Sequence, residues 1–241
     1  MALATTVLVD GFVFTEGPRW RDGRLWFSDM HGHQVVAATP TGETEVIVKV
    51  DDDEPSGLGW LPDGRMLIVS MERQQILRLE PTGELACHAD LSGLARGSLN
   101  DMIVSNDGYA YVGDMGMRIH DDGPRRPGQT FCVRPDGSFS VAADELRSPN
   151  GHILTEDEAV LIVAESGGQR LTAFDRSPSG ELTNQRVYAE LAPASPDAPI
   201  AAPDGICLDA EGAVWAADPV GCRVLRVLPG GVVTDVIGFS R

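Results

Sequence analysis

No stretch of this chain approaches the roughly 18 consecutive apolar residues that a membrane-spanning helix requires. The N-terminal MALATTVLVDGF has no basic segment ahead of its short apolar stretch, so neither a membrane span nor a secretory leader is expected. Basic charge is scarce: 19 Lys and Arg stand against 36 Asp and Glu, for a formal net charge of −17. Such a surface repels nucleic acid and anionic membranes, and neither is expected as a partner. Cysteines number only four, at 87, 132, 207 and 222, with no CxxC spacing, which argues against a zinc ribbon or a redox pair. Cys207 and Cys222 would sit on the first and third strands of one sheet, about 9–10 Å apart and too far for a disulfide. Reduced, mostly buried thiols in a cytoplasmic protein are the expectation. No window sustains a helical period of apolar residues, which removes helical solenoids from consideration.

What is present is a repeat. Five units begin at Glu16, Ser56, Asn100, Asn150 and Asp204, reading EGPRWRDGRLWFSD, SGLGWLPDGRMLIVS, NDMIVSNDGYAYVGD, NGHILTEDEAVLIVAE and DGICLDAEGAVWAAD. Their starts step by 40, 44, 50 and 54 residues, near the ~40–50 of a four-stranded propeller blade. Each unit holds a second turn, TGE at 41–43 and 82–84, DGS at 136–138, SGE at 179–181 and PGG at 229–231. Two hairpins per unit predict four antiparallel strands. The expected fold is therefore all-β, a single β-propeller domain over 1–241 built of four-stranded antiparallel blades.

Strand direction then gathers the polar residues. If the first strand of each unit runs from its leading residue to the tight turn, the second strand ends beside that residue. Asp29, Asp114, Glu165 and Asp218 thus share a mouth with Glu16, Asn100, Asn150 and Asp204. First strands line the channel of a propeller, so the leading side chains converge as a ring of oxygen donors. Carboxylates and carboxamides without a thiolate suit a hard divalent cation. The competing reading is that Asn and Asp before Gly simply start strands by accepting local backbone hydrogen bonds.

The segments FTEGPRW at 14–20, SLNDMIVSNDGYAYVGD at 98–114, SPNGHILTEDE at 148–158 and PDGICLDAEGAVWAAD at 203–218 together resemble the regucalcin/gluconolactonase (senescence marker protein-like) family across nearly the whole chain. The resemblance implies a six-bladed propeller with one divalent metal in its channel, calcium foremost with zinc, magnesium or manganese as alternatives, and hydrolysis of lactones. It puts the metal ligands at Glu16, Asn150 and Asp204, makes Asp204 the general base, and gives Asn100 a contact with substrate or water. Ser98 stands where sugar-lactone hydrolases of the family commonly carry Arg. Related readings are a calcium-binding regulatory propeller and an organophosphate or ester hydrolase. Because the resemblance calls for six blades and only five units are found, we expect a six-bladed type with the last blade incomplete, the chain lacking about 40 residues, one repeat length, and Val7 to Val9 supplying the closing strand. Closure with five blades is the alternative.

Specificity is expected in the long connections at the active mouth, Met115 to Gln129, with Arg118, His120, Arg125 and Arg126, and Leu191 to Pro203. Arg118, Ser98 and His152 join Asn100 as candidate substrate contacts; His152 follows Asn150 by two and in a regular strand points the same way. The DDDE run at 51–54 reads as a solvated cluster, the HGH at 31–33 as a loop, and Trp20, Trp26, Trp60 and Trp215 as interblade core.

Overall fold

The computed structural model describes residues 5–239. Blade 1 consists of β1 (Thr15–Arg21), β2 (Arg24–Asp29), β3 (Gln34–Ala38) and β4 (Thr44–Lys49), and blade 2 of β5 (Pro55–Trp60), β6 (Met66–Ser70), β7 (Gln75–Leu79) and β8 (Leu85–Asp90). Blade 3 follows with β9 (Leu99–Val104), β10 (Ala110–Asp114), β11 (Gly128–Val133) and β12 (Phe139–Leu146), and blade 4 with β13 (Pro149–Leu154), β14 (Val160–Glu165), β15 (Arg170–Arg176) and β16 (Leu182–Glu190). Blade 5 is β17 (Ile206–Leu208), β18 (Val214–Asp218), β19 (Arg223–Leu228) and β20 (Val232–Gly238). Each sheet is an antiparallel meander in chain order. No helix among the described residues is long and apolar enough to cross a membrane.

These five complete blades correct the expectation of a six-bladed type with an incomplete last blade. The expected sixth blade leaned on Val7 to Val9, and those residues form no strand. Val9 and Phe12 instead pack on blade 1 against Phe27, Val36 and Ala38, with the Phe12 and Phe27 rings edge-on at 4.9 Å. Apolar clusters fill the interfaces between successive blades, one joining blades 1 and 2 through Val35, Leu58 and Ile68, another joining blades 4 and 5 through Ile162, Leu171, Val214 and Leu225. Between β1 and β17 there is instead a cleft of about 480 Å³.

Trp26 and Trp60 meet edge-on at 5.5 Å between blades 1 and 2, as expected of core tryptophans. Trp20 does not: it is 63 % exposed, and with Trp215 it lines the cleft, because neither blade has a sheet packed on that side. The cysteines are all free, but only Cys132 is buried, so the mostly buried set is also corrected.

Buried carboxylates fasten each blade to the segment that enters it. Asp29 accepts the backbone N–H groups of Val13 (3.0 Å) and Phe14 (3.1 Å), and Asp114 those of Arg96 (2.7 Å) and Gly116 (2.9 Å). Glu165 accepts from Arg147 N (2.7 Å) and Asp218 from Ala202 N (3.1 Å). Blade 2 ends its second strand on Ser70, and the arrangement inverts: Asp53 of the incoming segment accepts from the Ser70 hydroxyl and from Glu72 N (3.2 Å) and Arg73 N (3.1 Å). Charge-assisted bonds to backbone donors are among the stronger ones a protein makes. The DDDE run is therefore only half solvated; Asp51 and Asp52 are exposed, whereas Asp53 and Glu54 are buried.

Glycines after the leading residues let the inner strands crowd together. A Cβ on Gly57 would lie 2.4 Å from Met102 N of β9, and one on Gly151 would lie 2.5 Å from the Asp204 carbonyl oxygen. Gly205 has nothing within 4 Å, since its side faces the cleft. Overpacking a tight contact costs about 1–3 kcal/mol, and ~1 kcal/mol moves the melting temperature of a chain this size by about 2–4 °C. Gly57→Ala and Gly151→Ala should each lower the melting temperature by several degrees while Gly205→Ala leaves it nearly unchanged, as read by differential scanning fluorimetry; an equal loss at all three positions would contradict the crowding.

Candidate metal and substrate site

The first strand of every blade is irregular at its leading residue. The ladder shifts register between Glu16 and Arg19 in β1, between Pro55 and Leu58 in β5, and between Pro149 and His152 in β13. The β9–β10 ladder breaks over the corresponding stretch, pairing Leu99 with Asp114 and next Met102 with Val112. At the head of β17, Asp204 N donates to Ala217 O (2.9 Å) while Ala217 N donates to Gly205 O (3.0 Å), so two residues again oppose one. A bulge of this kind re-aims a side chain. The repeat thus places Glu16, Ser56, Asn100, Asn150 and Asp204 at equivalent bulges of adjacent inner strands.

The resulting neighbourhood is partly enclosed and acidic. Asn100 and Asn150 are buried, and Glu16 and Asp204 are half-buried. Asp101 lies among them, 3 % exposed, and was not anticipated from the sequence. Its guanidinium partner is Arg19, whose Nη2 sits 2.7 Å from Asp101 Oδ1. Burial, then Asp204, then Asp101 push the Glu16 carboxyl up to about 8. Asp204 is raised as well, by burial and then Asp101, with the Asn150 carboxamide and the Gly205 N–H acting the other way. Asp204 Oδ1 is buried without any hydrogen-bond partner. An acceptor buried and unsatisfied beside like charges is costly, and a hard cation would relieve both penalties at once. Among the described residues no three His, Cys, Asp or Glu side chains form a metal-binding cluster by themselves. A cation here could draw on the Asn150 oxygen as well as on Glu16 and Asp204, hard oxygen donors of the kind calcium takes.

Asn100 is oriented by its neighbour: Ser56 Oγ donates to Asn100 Oδ1 at 3.0 Å, which leaves the amide NH₂ to act as donor. Unit 2 therefore departs from an acid or amide because Ser56 serves Asn100. His152 is fully buried, its Nδ1 2.6 Å from the Asn150 carbonyl oxygen and its Nε2 3.1 Å from Thr130 Oγ1, and burial lowers its pKa to about 4. The bulge breaks the strand alternation that would have aimed it with Asn150, and it braces the Asn150 backbone instead. Ser98 is also fully buried, donating its hydroxyl to Glu72 Oε1 and accepting from Ile119 N. Arg118 is tied to the same Glu72, at 2.9 Å.

The connection from Met115 to Gln129 is held across the mouths of blades 2 and 3 by these bonds and by His120, whose Nε2 is 2.7 Å from Glu54 Oε2; the other Glu54 oxygen lies 2.9 Å from His31 Nδ1.

The SMP-30/gluconolactonase/LRE-like region model matches residues 14–240. Regucalcin of Xenopus laevis is 27 % identical over 236 residues, 92 % of this chain and 74 % of that protein. Gluconolactonase of Zymomonas mobilis is 25 % identical over 242 residues, 90 % of this chain and 68 % of that protein. The structure of a gluconolactonase from Xanthomonas campestris superposes with a TM-score of 0.78 at 27 % identity, covering 96 % of this chain and 78 % of that one.

Two outcomes check the electrostatics. Asp204→Asn removes one buried like charge and should raise the melting temperature of chelator-treated protein by about 2–4 °C per kcal/mol relieved; a lower value would contradict the repulsion. His120 is raised by its bond to Glu54 and by the charges of Glu54 and Glu72. The contact is therefore complete below the ordinary histidine pKa of ~6.5 and is lost as pH climbs through the raised value, with His31 and Arg118 as its other ionisable neighbours. Tryptic cleavage after exposed Arg125, normalised to protease activity, should quicken over that rise in the wild type and be uniformly fast in Glu54→Gln.

Proposed function

The chain belongs to the SMP-30/gluconolactonase/LRE-like family, and from that premise we propose that it is a divalent-metal-dependent lactonase, opening a cyclic ester by attack of water. The observation that carries this reading is the partnerless, buried Asp204 Oδ1 beside Glu16 and Asn150. Glu16, Asn150 and Asp204 would hold the cation, calcium by the hardness of the donors. When bound, it would supply Lewis-acid polarisation of the substrate carbonyl.

The chain's own residues supply the rest. Asp204 accepts the proton of the attacking water; its burial and the nearby Asp101 favour the proton-accepting role, which a bound cation would partly oppose. Asn100, fixed through its oxygen by Ser56, donates its NH₂ to water or to the substrate carbonyl. His152 and Thr130 keep the Asn150 backbone in place. Four free thiols suit a reducing compartment, which supports a cytoplasmic location.

Acid release from glucono-δ-lactone and δ-valerolactone in a pH-stat, with and without EGTA, tests the reading. Chelator-sensitive hydrolysis is expected, lost on Asp204→Ala and reduced about 10²-fold or more on Asn100→Ala. Calcium-dependent thermal stabilisation with no acid release from any lactone would replace the enzyme by a calcium-binding regulatory propeller; full activity of Asp204→Ala would remove Asp204 from the chemistry.

A further inference from the structure

Arg19 reaches from blade 1, past blade 2, to blade 3. It stands on β1 where the ladder with β2 resumes after the break at Glu16. Its guanidinium meets the stretch of β9 that follows Asn100: Nη2 donates to Asp101 Oδ1 at 2.7 Å and also to the Met102 carbonyl oxygen. Nη1 turns back to its own strand and donates to Pro18 O at 3.0 Å. Pro18 lies in the register break of β1, and Asp101 in that of β9. A single side chain thus ties together the two bulges that present Glu16 and Asn100.

The β9 bulge needs such a tie. Its ladder with β10 pairs Leu99 with Asp114 and next Met102 with Val112, so Asn100 and Asp101 have no ladder partner there. Ser56 fixes which way the Asn100 carboxamide is turned, and Gly57 lies against the Asp101 backbone, both from blade 2. Arg19 is the contact that refers this bulge to the Glu16 strand. A guanidinium suits the task, since its planar fork serves acceptors on two strands at once, which an ammonium on a flexible stem does not fix. Neutralising Asp101 alone would call for neither the Met102 nor the Pro18 carbonyl.

We propose that Arg19 is a positioning residue for the reaction: by clamping the Asn100–Asp101 bulge to the Glu16 bulge, it sets where the Asn100 amide meets the substrate. The proposal rests on the hydrolase reading for the use of Asn100 and on the Arg19 contacts for its placement. A displacement of about 1 Å at such a group can cost as much as ~10²-fold in rate.

Three variants separate the clamp from simple neutralisation of Asp101. Arg19→Met leaves Asp101 buried without its counter-charge, Arg19→Met/Asp101→Asn removes both charges, and Arg19→Lys keeps the charge but loses the fork. In the pH-stat with calcium, kcat for δ-valerolactone and glucono-δ-lactone should fall about 10-fold or more in Arg19→Met while KM changes less than about threefold. In the double variant the melting temperature should return toward the wild-type value, because no unpaired buried charge remains, while kcat stays low. Arg19→Lys should keep the melting temperature and recover only part of kcat. In ¹H–¹⁵N spectra, the side-chain amide peak of Asn100, assigned by its loss in Asn100→Ala, should move in Arg19→Met and in the double variant, while that of Asn184, on the outer strand of blade 4, stays in place. If Arg19→Met does not fold, the charge-balanced double variant carries both measurements. Wild-type kcat in the double variant reduces Arg19 to a counter-charge and overturns the proposal, as does an unmoved Asn100 peak. Absence of hydrolysis of either lactone by the wild type overturns the hydrolase reading instead; a moved Asn100 peak then still upholds the clamp, and an unmoved one overturns it.

Discussion

Inner strands that pack without side chains between them set the terms for everything else in this molecule. Gly57 and Gly151 have neighbouring backbone where a Cβ would be, so β5 lies directly against β9 and β13 against the head of β17. At the same level each first strand carries its register break, which turns one side chain per blade toward its counterparts. Crowded backbone and re-aimed side chains are one device. Neither would concentrate oxygen donors without the other.

That device creates an electrostatic debt within a small volume. Glu16, Asp101 and Asp204 lie close enough, and enclosed enough, for burial and mutual repulsion to lift two of them. Arg19 answers Asp101, and Asp204 Oδ1 goes without a partner. The other buried acids of the same mouth are in the opposite condition. Asp29, Asp53, Asp114, Glu165 and Asp218 accept backbone N–H groups and fasten entering chain to blade. One face of the protein thus separates acids that hold the fold from acids left open for chemistry.

Much of this was legible in the sequence, and the exceptions have physical causes. Four-stranded units followed from paired tight turns, and the shared mouth from antiparallel geometry, because both are local consequences of chain direction. His152 was misaimed because strict alternation was assumed across a bulge that only the ladder reveals. Asp53 and Glu54 looked solvated because a run of acids carries no sign of the donors that will meet it; Ser70 stands where the other units end in Asp or Glu, and that substitution was the available clue. Asp101 went unnoticed because its neighbour Asn100 filled the repeat position. The sixth blade came from resemblance joined to a short apolar segment, and that segment covers blade 1 instead.

The sequence by itself determined the all-β repeat, its five units, the family, and the mouth at which the leading oxygens gather, since turn chemistry and strand direction act over a few residues. Tertiary structure alone decided which acids are consumed and which remain open, where His152 and Ser98 point, and that a cleft rather than a blade interface flanks Glu16 and Asp204. Those outcomes depend on contacts between residues far apart in the chain, such as Arg19 of β1 with Asp101 of β9, and on burial that no single segment can impose.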